Sequence, residues 1–275
     1  MSIQLIPYKP AGTIGSGPYV LREYKPDTGV DISALSITYT GTYTDYGMVA
    51  MSDGARYRLL AFTSSGTLSI EQPVNCEVCV VGGGANGDVG GPGGAGAYMK
   101  NQVIEAFEGG AVVVGAGQGV SSIADVSVNA VSGKNGGTGA GGNPAGTGDG
   151  ISKYPFGDTS YSLWAGKPHC AGGGQGAYEY ETIQKGYNGG DGGTNGGNGY
   201  PQVSNEVSNP SGGKGGSYGG GAGGNGTTAN GGNATYYGSG AGGGRHYQDA
   251  EGKYWFGRGG SGYQGIVYIR IPVIQ

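Results

Sequence analysis

Gly84-Ala85-Asn86-Gly87-Asp88-Val89-Gly90-Gly91-Pro92-Gly93-Gly94-Ala95-Gly96 sets a glycine at every third position without a break. The same phase runs through Gly133, Gly136, Gly139 and Gly142, and through Gly190, Gly193, Gly196 and Gly199. Shorter pieces recur at Gly220, Gly223, Gly226 and at Gly259, Gly262, Gly265. A period of three belongs neither to the α-helix nor to the strand. It is the turn of a polyproline II helix, which rises about 3.1 Å per residue. Glycine at each turn leaves one edge without side chains, so neighbouring helices can meet through N–H···O bonds and weak Cα–H···O contacts. The expected structure is an ordered bundle in which the runs Gly84 to Gly96, Gly133 to Gly142 and Gly190 to Gly199 lie near φ of about −75° and ψ of about +145°. A Gly139→Val substitution is then expected to destabilise the fold by separating backbones that must touch.

Outward from this stretch, the 68 glycines among 275 residues are unevenly placed, only eight of them preceding residue 82. Collagen requires an unbroken Gly-X-Y repeat with proline above about 15%, and 12 prolines in a chain that loses phase exclude it. A flexible glycine linker competes, since ordering glycine costs roughly 0.5–1 kcal/mol per residue more than ordering alanine. Against the linker stands the far end, where Gly265-Ile266-Val267-Tyr268-Ile269-Arg270-Ile271 reads as a buried strand needing partners from the first half. That half supplies the alternating stretch Ser36 to Tyr43, then Tyr57 to Phe62, Thr67 to Ile70 and Cys76 to Val81. The last three read as strands of a meander. The fold class is therefore all-β with polyglycine II helices, a β-sandwich-like frame closed by N- and C-terminal strands around a glycine-rich bundle. Residues 1–56 read as an arm with short strands and a possible attachment role, and residues 57–275 as the glycine-rich domain.

The net charge of −4 gives no basic footprint for nucleic acid. No apolar run approaches the roughly 20 residues of a membrane span. The start, MSIQLIPYKPAG, has no charged-then-apolar leader, so synthesis in the cytoplasm without a signal peptide is expected.

Several segments, taken in order, carry a resemblance: Phe62 to Ile70, Glu77 to Ala85, Gly94 to Tyr98, Ala111 to Gly117 and Gly260 to Arg270. Over roughly residues 57–271 the chain resembles the glycine-rich domain of bacteriophage tail-fibre and receptor-binding proteins. Adhesins of T-even-type phages, which it is similar to in alternating glycine tracts with aromatic loops, stack polyglycine II helices and recognise host receptors through loops at one end. The resemblance implies a virion-tail protein whose partners are a host cell-surface receptor, glycan or outer-surface protein, and other tail or fibre proteins. It also allows a homo-oligomer, with a trimer among the arrangements.

Motifs of chemistry fail in their context. Gly82-Gly83-Gly84-Ala85-Asn86-Gly87 satisfies G-x-G-x-x-G, but that fingerprint must open a helix at the pyrophosphate, and the glycines and Pro92 that follow cannot form one. Gly215-Gly216-Ser217-Tyr218-Gly219 spells a hydrolase elbow without the hydrophobic strand before it or the helix after it. Cys76, Cys79, His169 and Cys170 offer four zinc-ligand types, yet a C-x-x-C on a strand directs its thiols to opposite faces. No cofactor and no metal are expected, and the chain is read as a non-enzyme.

Tyrosine stands above background, at 21 against four phenylalanines, and it clusters where the glycine tracts are interrupted. Tyrosine rings can plug gaps between frame and bundle with their hydroxyls in water. Polar-aromatic inserts such as Arg245 to Trp255 read instead as recognition loops, because Tyr and Trp give large contact area at small entropic cost. The candidate binding residues are Tyr154, Tyr161, Trp164, Tyr236, Tyr237, Tyr247, Tyr254 and Trp255, expected to gather at one end of the bundle. The alternative is a purely structural fibre or filament subunit whose aromatic loops touch sister copies, and a glycan-cleaving enzyme comes third.

Overall fold

The structure is a computed structural model that describes residues 31–91, 93–128, 154–174, 176–180, 185–187, 207–208, 212–216, 218–225 and 229–273. The glycine runs at 133–142 and 190–199, with Gly139, lie outside the described residues. The fold is nearly all-β, and its only helical piece among the described residues is the short turn Pro155–Gly157.

In chain order the strands are β1 (Ile37–Tyr39), β2 (Tyr43–Ala50), β3 (Arg56–Phe62), β4 (Gly66–Val81), β5 (Met99–Val113), β6 (Ser121–Ile123) and β7 (Val126–Val128). They continue with β8 (Tyr178–Tyr180), β9 (Lys185–Tyr187), β10 (Val207–Ser208), β11 (His246–Gln248), β12 (Tyr254–Phe256) and β13 (Ile266–Pro272). An eight-stranded antiparallel sheet has the order β2-β3-β13-β4-β5-β6-β7, with β1 added on β4. The C-terminal run does find partners in the first half: Val267 lies opposite Phe62 on one side and Val80 on the other.

That insertion corrects the expected meander. β3 and β4 are not neighbours, because β13 lies between them, and the two runs Thr67 to Ile70 and Cys76 to Val81 are one strand. The register against β5 shifts between Ser69 and Val74 and again before Cys76, around Pro73, which has no N–H to give a ladder. β1 and β2 pair with β4 and β3, so the sheet begins before residue 57, where the sequence reading drew its boundary.

Strand alternation divides the apolar residues of this frame between two faces. Leu60, Phe62, Val78, Val80, Val267, Ile269 and Ile271 join Leu68, Phe107, Ile123 and Val126 in one cluster. Leu59, Ala61, Cys79, Val81, Ile266 and Tyr268 form the other, covered by Trp164 and Cys170. Full burial of a side chain such as Ile269 contributes about 1.5–3 kcal/mol. The covering segment is fastened by Asp158, whose carboxylate accepts from the N–H groups of Ser52, Ser160 and Tyr161 at 3.0 Å each. Arg270 pins its start, with the guanidinium between the rings of Tyr57 and Phe156 and bonded to Glu77 at 2.6 Å.

The glycine tracts hold together differently. Along residues 240–246 the backbone N–H groups donate in turn to three different tracts and then repeat. Gly240, Gly243 and His246 donate to Ala171, Gly174 and Ala177. Ala241 and Gly244 donate to Ala85 and Asp88, while Gly242 and Arg245 donate to Gly232 and Ala229. The carbonyls follow the same rhythm: Ser239, Gly242 and Arg245 accept from Tyr263, Gly260 and Gly257, and Gly240 and Gly243 accept from Gly221 and Gly224. Ala241 accepts from Gly94. Each direction recurs at every third residue, and six tracts surround this one. A methyl group on Gly242 would overlap the Ala222 carbonyl, and one on Gly244 the Gly257 carbonyl.

The run from Gly84 to Gly96 is not continuous. It turns at Val89-Gly90, where Gly90 has φ of +59°, and its second half returns beside the first, with Ala85 donating to Ala95 at 3.0 Å. Gly90, in the left-handed region, and Gly91 beside it supply the turn chemistry that permits this reversal.

Candidate functional site

The predicted binding residues separate into two groups. Trp164 is fully buried and is therefore corrected from a contact residue to core; its Nε1 donates to the Asp158 carbonyl at 2.6 Å. Tyr161 packs edge-on against it at 4.8 Å, and Tyr154 is half-buried in the same cluster. Tyr236 and Tyr237 flank the fully buried His169, with ring centroids at 4.9 and 6.1 Å. These five residues lie where the bundle meets the frame, beside the exposed rings of Tyr46, Tyr218 and Tyr263, which the sequence reading did not select.

Tyr247, Tyr254 and Trp255 lie elsewhere. Residues 239–245 run between the two groups, roughly 20 Å of extended backbone, so the expectation that all the aromatic inserts gather at one end is corrected. A tract connects Tyr237 to His246, and the rings stand at its opposite ends.

At the far end β11 and β12 form a hairpin, with Tyr247 opposite Trp255 and His246 opposite Phe256. β11 continues in parallel to β8, making a five-stranded sheet in the order β10-β9-β8-β11-β12. The turn is built by Asp249, whose carboxylate accepts from the N–H groups of Glu251 at 3.1 Å and Lys253 at 2.8 Å, and from Trp255 Nε1 at 2.8 Å. The Trp255 bond, with the two backbone bonds, holds the Asp249 carboxyl below the usual carboxylate range. Gly252, at φ of +80°, takes the left-handed position that a glycine tolerates.

Alternation gives the hairpin two faces. On one, Lys253 lies over the Trp255 ring at 4.1 Å and Arg245 over Tyr247 at 4.4 Å. On the other, His246 touches both Tyr254 and Phe256, at 5.3 and 4.6 Å. Tyr254, Trp255 and Phe256 are 49%, 51% and 53% exposed, the most exposed aromatic run among the described residues. Phe256 was not selected from the sequence, although His246-Tyr247-Gln248 and Tyr254-Trp255-Phe256 around Asp249 to Lys253 carry a hairpin signal.

The buried ionisable groups belong to packing. His169 is sealed from water, its Nε2 at 3.1 Å from the Tyr268 hydroxyl, and burial pushes its pKa down to about 3. Cys76 and Cys79 are buried on opposite faces of β4, and burial pushes the Cys76 thiol up to about 12. Among the described residues no three His, Cys, Asp or Glu side chains converge. Around the elbow-like motif, residues 212–216 and 218–225 are glycine tracts joined at a turn, with Gly223 donating to Gly213 at 2.8 Å; Ser217 lies outside the described residues.

No known protein family, curated protein or solved structure matches this chain.

Proposed function

We propose that this protein is a phage tail or tail-fibre adhesin, a β-sandwich-like frame carrying a bundle of polyglycine II helices whose far end presents aromatic residues to a bacterial surface glycan or protein. The bundle reading is supported by the period-three rotation of hydrogen-bond directions along residues 240–246, since a helix with three residues per turn returns to the same neighbour at each third residue. The adhesin reading rests chiefly on one observation: Tyr254, Trp255 and Phe256 are half-exposed side by side on a hairpin fixed by Asp249. Exposed aromatic rings held on a rigid support are how binding surfaces gain contact area at small entropic cost. In this reading the protein sits on the virion tail, with other tail proteins as partners, and carries no catalytic activity.

The test is adsorption of purified protein to a panel of bacterial cells. Trp255→Ala and Tyr254→Ala are expected to reduce binding about thirtyfold, the effect of removing an anchor of ~2 kcal/mol, with unchanged melting temperature. Binding that survives both substitutions points to the alternative, a structural fibre subunit held through Tyr46, Tyr218 and Tyr263; that alternative predicts a sedimenting polymer.

A further inference from the structure

Asparagine side chains fasten the tract at residues 257–262 to its neighbours. Arg258 N–H donates to Asn230 Oδ1 at 2.9 Å, and Gly231 N–H donates back to the Arg258 carbonyl at 2.8 Å. The clasp then repeats: Ser261 N–H donates to Asn233 Oδ1 at 2.8 Å, and Ala234 N–H to the Ser261 carbonyl at 2.9 Å. From another tract, Asn86 Oδ1 accepts from Gly262 N–H at 2.8 Å, while Gly87 N–H donates to the Gly260 carbonyl at 3.0 Å. Asn86, Asn230 and Asn233 are all exposed. Water reaches them, so hydrogen bonding rather than burial restrains them.

Asn86 and Asn230 are each followed by glycine, and Asn233 by alanine. With no Cβ on the following residue, the next backbone nitrogen can approach the asparagine carboxamide closely. The reaction this allows needs only water and hydroxide. Hydroxide takes the glycine N–H proton, the nitrogen bonds to Cγ, and the Cγ–Nδ2 bond breaks with loss of ammonia, closing a succinimide. Water then opens the ring at either carbonyl, giving aspartate or isoaspartate. The attacking electron pair lies where the N–H bond was. In the two clasps that direction is taken by the carbonyls of Arg258 and Gly260, and each Cγ is held in place because its Oδ1 accepts from a further N–H. We infer that Asn86 and Asn230 are deamidation sites gated by the bundle, closed in the folded chain and reactive once the tract at 257–262 separates from its neighbours. Isoaspartate lengthens the backbone by a carbon within tracts that meet the same neighbour at every third residue, so the clasp does not re-form. Aspartate keeps both the acceptor and the spacing. This chemistry depends on the bundle alone and is the same whatever the β11–β12 hairpin binds.

The test holds the full chain in mildly alkaline buffer with and without denaturing guanidinium chloride, and follows each asparagine by mass-spectrometric peptide mapping. A short Asn-Gly peptide in both solvents corrects for the denaturant itself, and isoaspartyl methyltransferase labelling separates isoaspartate from aspartate. Asn86 and Asn230 are expected to deamidate at least about a hundredfold faster in the unfolded chain, because reaction from the folded chain requires the tract to open first. Asn233, held by the same clasp but followed by Ala234, should remain largely an amide in both solvents. Equal rates at Asn86 and Asn230 in buffer and denaturant overturn the gating. Deamidation of Asn233 as fast as that of Asn230 in denaturant overturns the part given to the following glycine. When the denaturant is removed, the refolded fraction should retain aspartate at the two positions and be depleted of isoaspartate about tenfold; equal recovery of the two overturns the loss of the clasp. The rate comparison decides the gating even where the unfolded chain does not refold.

Discussion

The frame and the glycine bundle solve the same problem with opposite materials. In the frame, Leu60, Phe62, Val78, Val80, Val267 and Ile269 are fully buried and fill the space between backbones with side chains. In the bundle, the buried residues from 238 to 244 bring backbones together with almost nothing between them. The first interior is sensitive to the removal of atoms and the second to their addition. A larger residue for a smaller one costs typically about 1–3 kcal/mol in the frame, where neighbouring side chains can shift, and more in the bundle, where the added atoms meet backbone.

The largest expected effect is in the bundle. Gly242→Val places a branched side chain where a Cβ already overlaps the Ala222 carbonyl, and six neighbouring tracts leave no direction for relief. We expect a loss above about 4 kcal/mol, in the exceptional range for single substitutions, seen as insoluble protein or collapse of the thermal transition. A Gly242→Val protein with the wild-type melting temperature would break the contrast between the regions. Next is Ile269→Ala in the frame, expected to cost about 2–5 kcal/mol; urea denaturation measures it, and an effect equal to that of Gly242→Val would show the two interiors to be alike.

A smaller effect belongs to His169, at the join. Its folded pKa of about 3 lies below its ordinary value of 6.5, so the unfolded chain binds the proton first as pH falls. The neutral form's contribution is complete above about pH 6.5 and declines toward pH 3, with a slope of up to about 1.4 kcal/mol per pH unit. Urea midpoints at pH 7, 6 and 5 should fall in order, and the fall should flatten in His169→Gln. The Asp158 carboxyl, held below its ordinary 3.8, adds its loss only at lower pH. Smallest is Trp255→Ala, expected within about 0.5 kcal/mol of wild type in stability, because the ring is half exposed.

How far the sequence could be read follows from the same division. The run Ile266 to Ile271 declares itself as a buried strand through its β-branched residues, and it is one. Its place between β3 and β4 is not declared, since a strand apolar on both faces suits any apolar neighbour. β5 was not read as a strand, and Ala106, Gly109 and Gly110, which take positive φ, interrupt its alternation. The period of three was legible in residues 84–96, but not the turn at Gly90, nor which tracts are neighbours. Contacts made by backbone atoms leave no side-chain signature to match. At the site, Trp164 and Trp255 occur in equally tyrosine-rich surroundings, and one is buried while the other is exposed. Residue type marked both inserts as important, and burial was decided by the distant strands that Trp164 covers.

The backbone-lined interior also has a thermal consequence. Unfolding an ordinary domain raises the heat capacity because apolar surface meets water, by about 0.45 cal/mol/K for each Å², while newly hydrated polar surface lowers it by about 0.26. Separating the tracts around residues 239–245 exposes mostly amide groups. The heat-capacity increment of this chain should therefore be small for its 275 residues, and its stability curve correspondingly flat. Its stability would then change little between low and moderate temperatures.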